Sequence, residues 1–287
     1  MITKVVRAGP ITRYETYSID PRHGPGAVRL DADRYMVVST GEIGEYTHAA
    51  HRADGDAIKR LRQSMRDLRD VINANVANPQ DIAWATLTYA DNMTDPEQLY
   101  QDHRRYWQRL KRYLSSRGAA IPEYVVAAEP QGRGAWHLHC LYFFPRGARP
   151  YIPNDDLARI WGHGYTTIDR VNVRAGQDVD NIGVYLSAYL TDTVADTSDP
   201  GDKRKSVIKG GRLHMYPPRM RFWRASRGAA RPTVEWMEDE RAKKDRPSAG
   251  TLAYHSTAHV RLPSGQEITI TYDHYSVGKS SCQDVDG

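Results

Sequence analysis

Two histidines separated by one residue are the most promising metal ligands in the sequence. His137 and His139 flank Leu138. In an extended strand, side chains alternate between the two faces of a sheet, so both imidazoles would project from one face, about 7 Å apart. Imidazole nitrogens bind divalent transition-metal ions, so the pair could form half of a metal site. Trp136, Leu138 and Cys140 would lie on the opposite face, and their types predict that it is buried.

An upstream carboxylate could complete this site. Strands predicted over 123–129 and 135–144 are joined by Pro-Gln-Gly-Arg-Gly, a sequence typical of a hairpin turn. A five-residue turn would place Glu129 opposite Ala135, on the histidine face and diagonal to His137. Two histidines and a carboxylate could then bind one divalent ion. Imidazole suits Mn²⁺ or Zn²⁺, and the mixed set also admits Mg²⁺ when a phosphate completes the shell.

Two tyrosines four residues apart are the candidate nucleophiles. Tyr185 and Tyr189 lie in a helix predicted over 179–190, and their spacing places them on one helix face. A phenol is a poor nucleophile at neutral pH unless a nearby cation or base favours the phenolate. A divalent ion that polarises a phosphodiester would reduce this demand. Core packing is the alternative interpretation, because the chain contains 18 tyrosines.

A basic segment follows the tyrosines. Residues 203–231 include ten Lys or Arg residues, no acidic residue and several aromatic ones. Cations contact phosphates and aromatic rings stack on unpaired bases, so the segment is typical of a groove for single-stranded DNA, although a solvated loop is the alternative. The predicted DNA-contacting residues are Lys203, Arg204, Lys205, Lys209, Arg212, Arg219, Arg221, Trp223, Arg224 and Arg227.

The overall composition is that of a globular protein. The chain has 287 residues, of which 40% are hydrophobic and 26% charged, values that exclude a disordered or fibrous protein. A formal charge of +5 favours a polyanionic partner. Cys140 and Cys282 are too few for a disulfide framework or a four-thiolate zinc site. No signal peptide or membrane span is recognisable, so we expect a soluble, cytoplasmic protein.

Helical and strand periodicities alternate along the chain. Apolar residues recur at helical spacing over 54–76 and 95–116, and the run at 82–89 predicts a buried strand. Further predicted elements are a strand at 35–40, a helix at 155–161, a strand at 165–173 and C-terminal strands at 258–262 and 267–272. Helices mixed with strands predict an α+β fold, in which helices flank a central antiparallel β-sheet and both chain ends carry additions.

The order of the motifs resembles that of the HUH endonucleases, which are named for a His-hydrophobic-His motif. The resemblance covers residues 82–192, about two fifths of the chain. It rests on Ala85-Thr86-Leu87-Thr88-Tyr89, on Glu129 with His137-Leu138-His139, and on Tyr185-Leu186-Ser187-Ala188-Tyr189. Tyrosines C-terminal to the histidines are typical of the rolling-circle replication initiators. A pair four residues apart is similar to that of some bacteriophage and plasmid initiators.

This resemblance implies a fold, a metal site and a reaction. The fold would be ferredoxin-like or RRM-like, and Glu129, His137 and His139 would bind a divalent ion, Mg²⁺ or Mn²⁺. Tyr185 would attack a DNA phosphodiester and leave a 5′-phosphotyrosine and a free 3′-hydroxyl. Tyr189 would perform the second cleavage or rejoin the strand. Many relatives carry a Lys between or just after the tyrosines, whereas positions 188 and 192 are Ala and Asp here, so the order of attack stays open.

The same resemblance predicts partners and a division of the chain. Expected partners are single-stranded or hairpin origin DNA, with a host helicase and polymerase, because the sequence has no Gly-x-x-x-x-Gly-Lys-Ser/Thr loop. Residues 1–80 would form an accessory region of unclear role, and 81–195 the nicking and joining core. Residues 196–287 would hold the basic segment and the C-terminal strands.

Two other functions are compatible with the residues. Cupin-like metalloenzymes also place His-x-His on a strand. Their glutamate, however, lies downstream of the histidines, and here no acidic residue follows His139 until Asp155. The second alternative is a non-catalytic module that binds DNA or RNA, in which the histidines serve only in packing.

Overall fold

The structure is a computed structural model. It describes residues 1–23, 27–38, 40–46, 55–131, 133–171, 216–217, 220–247, 251–261 and 267–276, with only the backbone for 55–62 and 251. The chain divides into two compact units, one formed by His51–Arg231 and the other by Met1–Ala50 with Pro232–Gly287. None of the helices in the described ranges combines the length and apolar character needed to cross a lipid bilayer.

The described elements are strands and four α-helices. The strands are β1 (Ile2–Ala8), β2 (Ile11–Tyr17), β3 (Ala27–Arg29), β4 (Arg34–Val37), β5 (Ile43–Glu45), β6 (Ile82–Thr88), β7 (Glu123–Pro130), β8 (Trp136–Phe143), β9 (Thr166–Arg170), β10 (Trp223–Ala225), β11 (Thr233–Glu238), β12 (Thr251–Arg261) and β13 (Glu267–Ser276). The helices are α1 (Gly55–Asn75), α2 (Pro96–Ser115), α3 (Asn154–Trp161) and α4 (Asp239–Asp245).

The unit His51–Arg231 is built on one five-stranded antiparallel sheet in the order β10-β7-β8-β6-β9. Helices α2 and α3 pack on one face and α1 packs on the other. The predicted α+β fold, with helices flanking an antiparallel sheet, is confirmed. The predicted helices at 54–76 and 95–116 correspond to α1 and α2 within a residue at each end. The helix predicted at 179–190 lies outside the described residues.

Helix α2 shows how local sequence positions the larger part of the core. The Asp95 side chain accepts hydrogen bonds from the backbone N–H groups of Glu97 and Gln98, and Pro96 occupies the first turn, where its missing N–H costs nothing. One stripe of the helix is buried against the sheet. It consists of Leu99, Tyr106, Leu110 and Leu114. This packing covers the sheet face that carries Trp136, Leu138 and Cys140, all of which are buried as predicted.

Helix α1 covers only part of the other sheet face. Leu68, Val71 and Ile72 pack there against Leu141 and Phe143, which lie further along β8 than the histidines. Because side chains alternate along a strand, Leu141 and Phe143 share this face with His137 and His139. The β7–β8 hairpin end of the same face therefore carries polar side chains beyond the apolar layer under α1.

The register of the β7–β8 hairpin differs from the prediction. Glu129 pairs with His137, not with Ala135, and Pro130 pairs with Trp136. The turn is therefore displaced by one residue along the chain. Pro130 can stay in the strand because the Trp136 N–H, which would otherwise need a partner on β7, donates to the Met93 carbonyl at 2.9 Å. A bond of 2.7 Å from the Gln131 N–H to the Ala135 carbonyl closes the loop.

The unit formed by the two chain ends has its own sheet, in the order β11-β1-β2-β13-β12, with all neighbours antiparallel. Its small core combines Val5, Tyr14, Met237 and Ala242, the last of which belongs to α4. Strands β3, β4 and β5 form a separate three-stranded sheet. The predicted C-terminal strands correspond to β12 and β13, and β12 is longer than predicted because it begins at Thr251. The predicted division by role at residues 80 and 195 stays a prediction.

Replacing Leu138 by Ala tests the core beneath the histidines. Leu138 is completely buried against α2 and α3, so we expect the Leu138→Ala variant to lose about 2 to 5 kcal/mol of unfolding free energy. Urea denaturation followed by circular dichroism measures this loss. Ile121→Ala, at an exposed position just before β7, is the matched control and should change little. Equal losses for both variants would contradict the placement of Leu138 in the core.

A buried histidine in α2 predicts a pH dependence of stability. His103 is packed against the rings of Tyr106 and Tyr124, and its Nε2 has no hydrogen-bond partner among the described residues. Burial lowers the pKa of His103 to about 4, and the Arg224 guanidinium contributes in the same direction. The folded chain thus keeps His103 neutral, whereas the unfolded chain takes up a proton near pH 6.5.

Stability should therefore fall as the pH is lowered from about 6.5 to 4, by the order of 3 kcal/mol from this residue alone. Urea denaturation of the wild type and of His103→Leu across this range measures the effect. The variant should show a shallower decline than the wild type. Parallel declines would show that His103 is not buried in its neutral form.

Candidate metal centre

Three side chains converge at the hairpin end of the central sheet. Glu129 lies near the end of β7, and His137 and His139 lie on β8. Glu129 is paired with His137, and Ala127 is paired with His139. Directly paired residues of antiparallel strands project from the same face, so all three polar side chains point to the α1 side of the sheet.

The distances between the three groups are short enough for one ion. Glu129 Oε2 lies 3.0 Å from His139 Nε2 and 3.4 Å from His137 Nε2. The two imidazole rings lie 4.6 Å apart between centroids. One ligand atom from each residue can be chosen so that all three lie within 4.8 Å of one another. The cluster predicted from the sequence is therefore assembled in space and could hold a metal ion.

Burial and hydrogen bonding agree with a cation at this position. Glu129 is only 8% exposed, and both histidines are half-buried. His137 Nε2 is buried without a hydrogen-bond partner among the described residues, although it faces Glu129. An unsatisfied buried nitrogen costs free energy, and a divalent ion would remove that cost. Two imidazole nitrogens and a carboxylate oxygen also form a donor set that such ions accept, so the residues present fit a metal.

Neighbouring side chains orient the His139 ring. Thr86 on β6 is paired with His139, and its Oγ1 lies 3.4 Å from His139 Nδ1. The Trp84 ring meets the same imidazole edge-on at 5.7 Å between centroids. A partner at Nδ1 leaves Nε2 directed at Glu129, which is the role of outer-shell groups in metal sites. Sequence reasoning assigned no such role to Thr86, because the pairing of β6 with β8 cannot be read from local spacing.

The remaining predicted site residues are only partly described. Tyr185 and Tyr189 lie outside the described residues, so the structure does not report their positions. The same holds for most of the basic segment, namely Lys203, Arg204, Lys205, Lys209, Arg212 and Arg219. Their predicted roles stay predictions.

The described part of the basic segment adds β10 to the sheet. Arg221, Arg224 and Arg227 are exposed, and the Arg224 guanidinium lies 3.4 Å from the centroid of the Tyr100 ring. Trp223 has a different environment, because its indole N–H donates to the Ser64 carbonyl in α1 at 3.0 Å. The three arginines are thus accessible to a polyanion, whereas Trp223 packs against a helix.

Comparison with known proteins supports a role in replication. Residues 82–194 match a family model of replication-associated proteins, the family of ORF2 and the gene 2 protein. The matched segment contains all three residues of the candidate metal centre and both predicted nucleophiles. Searches of curated proteins and of solved structures found no significant match. The family match supports a replication initiator and so connects the chain with DNA.

Titration with Mn²⁺ tests the metal centre independently of any reaction. We expect His137→Ala and Glu129→Gln to weaken Mn²⁺ binding by at least about tenfold, because each removes one of three protein ligands. Isothermal titration calorimetry measures the affinity. His259→Ala, an exposed histidine on β12, is the matched control and should bind like the wild type. Unchanged affinity in His137→Ala would remove this residue from the ligand set.

Proposed function

We propose that this chain is a rolling-circle replication initiator, a site-specific endonuclease and strand transferase that acts on single-stranded DNA through a 5′-phosphotyrosine. One observation carries the proposal. The Glu129, His137 and His139 cluster lies on paired strands inside the segment that matches a replication-associated family. A metal-binding cluster alone would fit many enzymes, and the family match directs it to DNA.

The metal centre would hold the scissile phosphodiester in place. In this proposal Glu129, His137 and His139 bind Mg²⁺ or Mn²⁺, which leaves coordination positions for phosphate oxygens. Such an ion, when bound, polarises the phosphodiester and stabilises the negative charge of the transition state. Thr86 and the paired strands keep the three ligands in a fixed geometry, so little reorganisation is needed when DNA binds.

Tyr185 would supply the nucleophile and Tyr189 a second one. The Tyr185 oxygen, which gives up its proton, forms a bond to phosphorus, and the bond from phosphorus to the 3′ oxygen breaks. The 3′ oxygen leaves with the bonding electrons and takes up a proton to become a hydroxyl that can prime synthesis. Because one phosphodiester replaces another, the strand can later be rejoined without an added energy source. Two tyrosines would let one chain carry out both cleavages.

Exposed cations would hold the rest of the strand. Arg221, Arg224 and Arg227 are accessible and belong to a segment without acidic residues, so they are suited to contact phosphates. The proposed substrate is single-stranded or hairpin origin DNA. Unwinding and synthesis would fall to a host helicase and polymerase in the cytoplasm.

The fold disfavours the cupin-like alternative. Cupins are jelly rolls made of two sheets, whereas the histidines here lie on a single sheet covered by helices. Glu129 also precedes the histidines, and its pairing with His137 explains how an upstream residue reaches the site. A non-catalytic DNA-binding module is separated from the proposed enzyme by experiment.

A covalent-adduct assay tests the proposed reaction. Purified protein with Mg²⁺ or Mn²⁺ and a library of single-stranded and hairpin oligonucleotides should give a protein–DNA adduct on a denaturing gel. Tyr185→Phe combined with Tyr189→Phe should abolish the adduct while DNA binding is retained. His137→Ala should abolish cleavage and leave salt-sensitive binding largely intact. Tyr151→Phe, at an exposed position before α3, serves as the control.

Absence of any adduct across the library with either ion would refute the nicking mechanism and leave a DNA-binding module. Cleavage by His137→Ala at the wild-type rate would separate the reaction from the metal centre.

A further inference from the structure

An exposed tyrosine lies beside the metal centre. Tyr165 directly precedes β9 and its side chain is 68% exposed. Among the described residues, it makes no ring contact and its hydroxyl has no hydrogen-bond partner. An aromatic side chain that gains nothing from packing is a candidate for contact with a ligand.

Strand pairing shows which sheet face Tyr165 shares. The Thr88 N–H donates to the Tyr165 carbonyl at 2.9 Å, which extends the β6–β9 pairing one step beyond Leu87 and Thr166. Thr166 is buried, and its hydroxyl lies 3.2 Å from the Asn154 side chain at the start of α3. Since neighbouring side chains alternate, Tyr165 faces away from α3, on the same side as the metal ligands.

Tyr165 also continues the row of residues that contains the ligands. Glu129 pairs with His137, His137 pairs with Thr88, and Thr88 is bonded to Tyr165. Neighbouring strands lie about 4.8 Å apart, so Tyr165 is about 10 Å from His137 across the sheet. Nucleotides that follow one another in a single strand can bridge this distance.

The surface between the two sites is lined with hydroxyl groups. Thr88 lies between His137 and Tyr165 in the row, and Thr86 pairs with both His139 and Thr167 in the next row. All three threonines are partly exposed. Threonine hydroxyls donate hydrogen bonds to phosphate and sugar oxygens without adding charge. A strand that passes from the metal centre towards Tyr165 would therefore cross a surface suited to its backbone.

We propose that Tyr165 stacks on an unpaired base of single-stranded DNA, next to the phosphodiester held at the metal centre. The inference rests on the proposed function, since it takes single-stranded DNA as the substrate. Every base offers an aromatic face, so stacking would fix the path of the strand without reading its sequence. The stacking uses the ring and not the hydroxyl.

Equilibrium binding of a fluorescently labelled oligothymidine to the full chain tests this role without requiring cleavage. Tyr165→Ala should weaken binding roughly 5- to 100-fold, the range expected for loss of one stacked base. Tyr165→Phe keeps the ring and should bind like the wild type. The salt dependence of binding should be the same in all of them, because no phosphate contact is removed.

Tyr151→Ala is the matched control, because Tyr151 is also a highly exposed tyrosine of the same unit, in the loop before α3. It should bind like the wild type. Wild-type affinity in Tyr165→Ala, equal weakening in Tyr165→Phe, or no binding of oligothymidine by the wild type would each overturn the stacking role.

The outcomes separate this inference from the proposed reaction. A wild-type protein that forms the covalent adduct, together with a Tyr165→Ala variant that binds DNA normally, would refute the stacking role alone. Binding that depends on the Tyr165 ring, without any adduct, would support the stacking role and refute the nicking reaction. Loss of the adduct in Tyr165→Phe would identify its hydroxyl as chemically active and overturn the stacking role.

Discussion

The pairing of Glu129 with His137 is the interaction on which the site depends. It brings a buried carboxylate within 3.0 and 3.4 Å of two imidazole nitrogens. The period of a strand is two residues, so a slip of one residue between β7 and β8 would move the carboxylate to the opposite face from the histidines. The apolar residues of β8 oppose such a slip, because Leu138 and Cys140 would leave the core.

The end of the hairpin is held by contacts on the side away from the metal ligands. The Trp136 indole N–H donates to the Thr94 carbonyl at 2.9 Å, and its backbone N–H donates to Met93. The Trp136 ring is buried against Tyr216. These bonds tie the start of β8 to the segment that leads into α2. The polar site is thus positioned by an apolar layer and by backbone hydrogen bonds on the opposite face.

Much of the site could be predicted from local sequence, because its two histidines and its carboxylate belong to one hairpin. The alternation of side chains along β8 was enough to place His137 and His139 together. The exact pairing was wrong, because the extension of the strand through Pro130 depends on Met93, which lies far away in the sequence. The contributions of Thr86 and Tyr165 were missed for the same reason, since both depend on pairing with β6.

The central claim is that these three residues form one divalent metal centre on a sheet that also carries the DNA strand. Anomalous X-ray diffraction from crystals of the chain soaked in Mn²⁺ tests it most directly. The account predicts a peak within about 2 to 2.5 Å of His137 Nε2, His139 Nε2 and a Glu129 carboxylate oxygen. Peaks only at other positions, with Glu129 still hydrogen-bonded to His139, would contradict it.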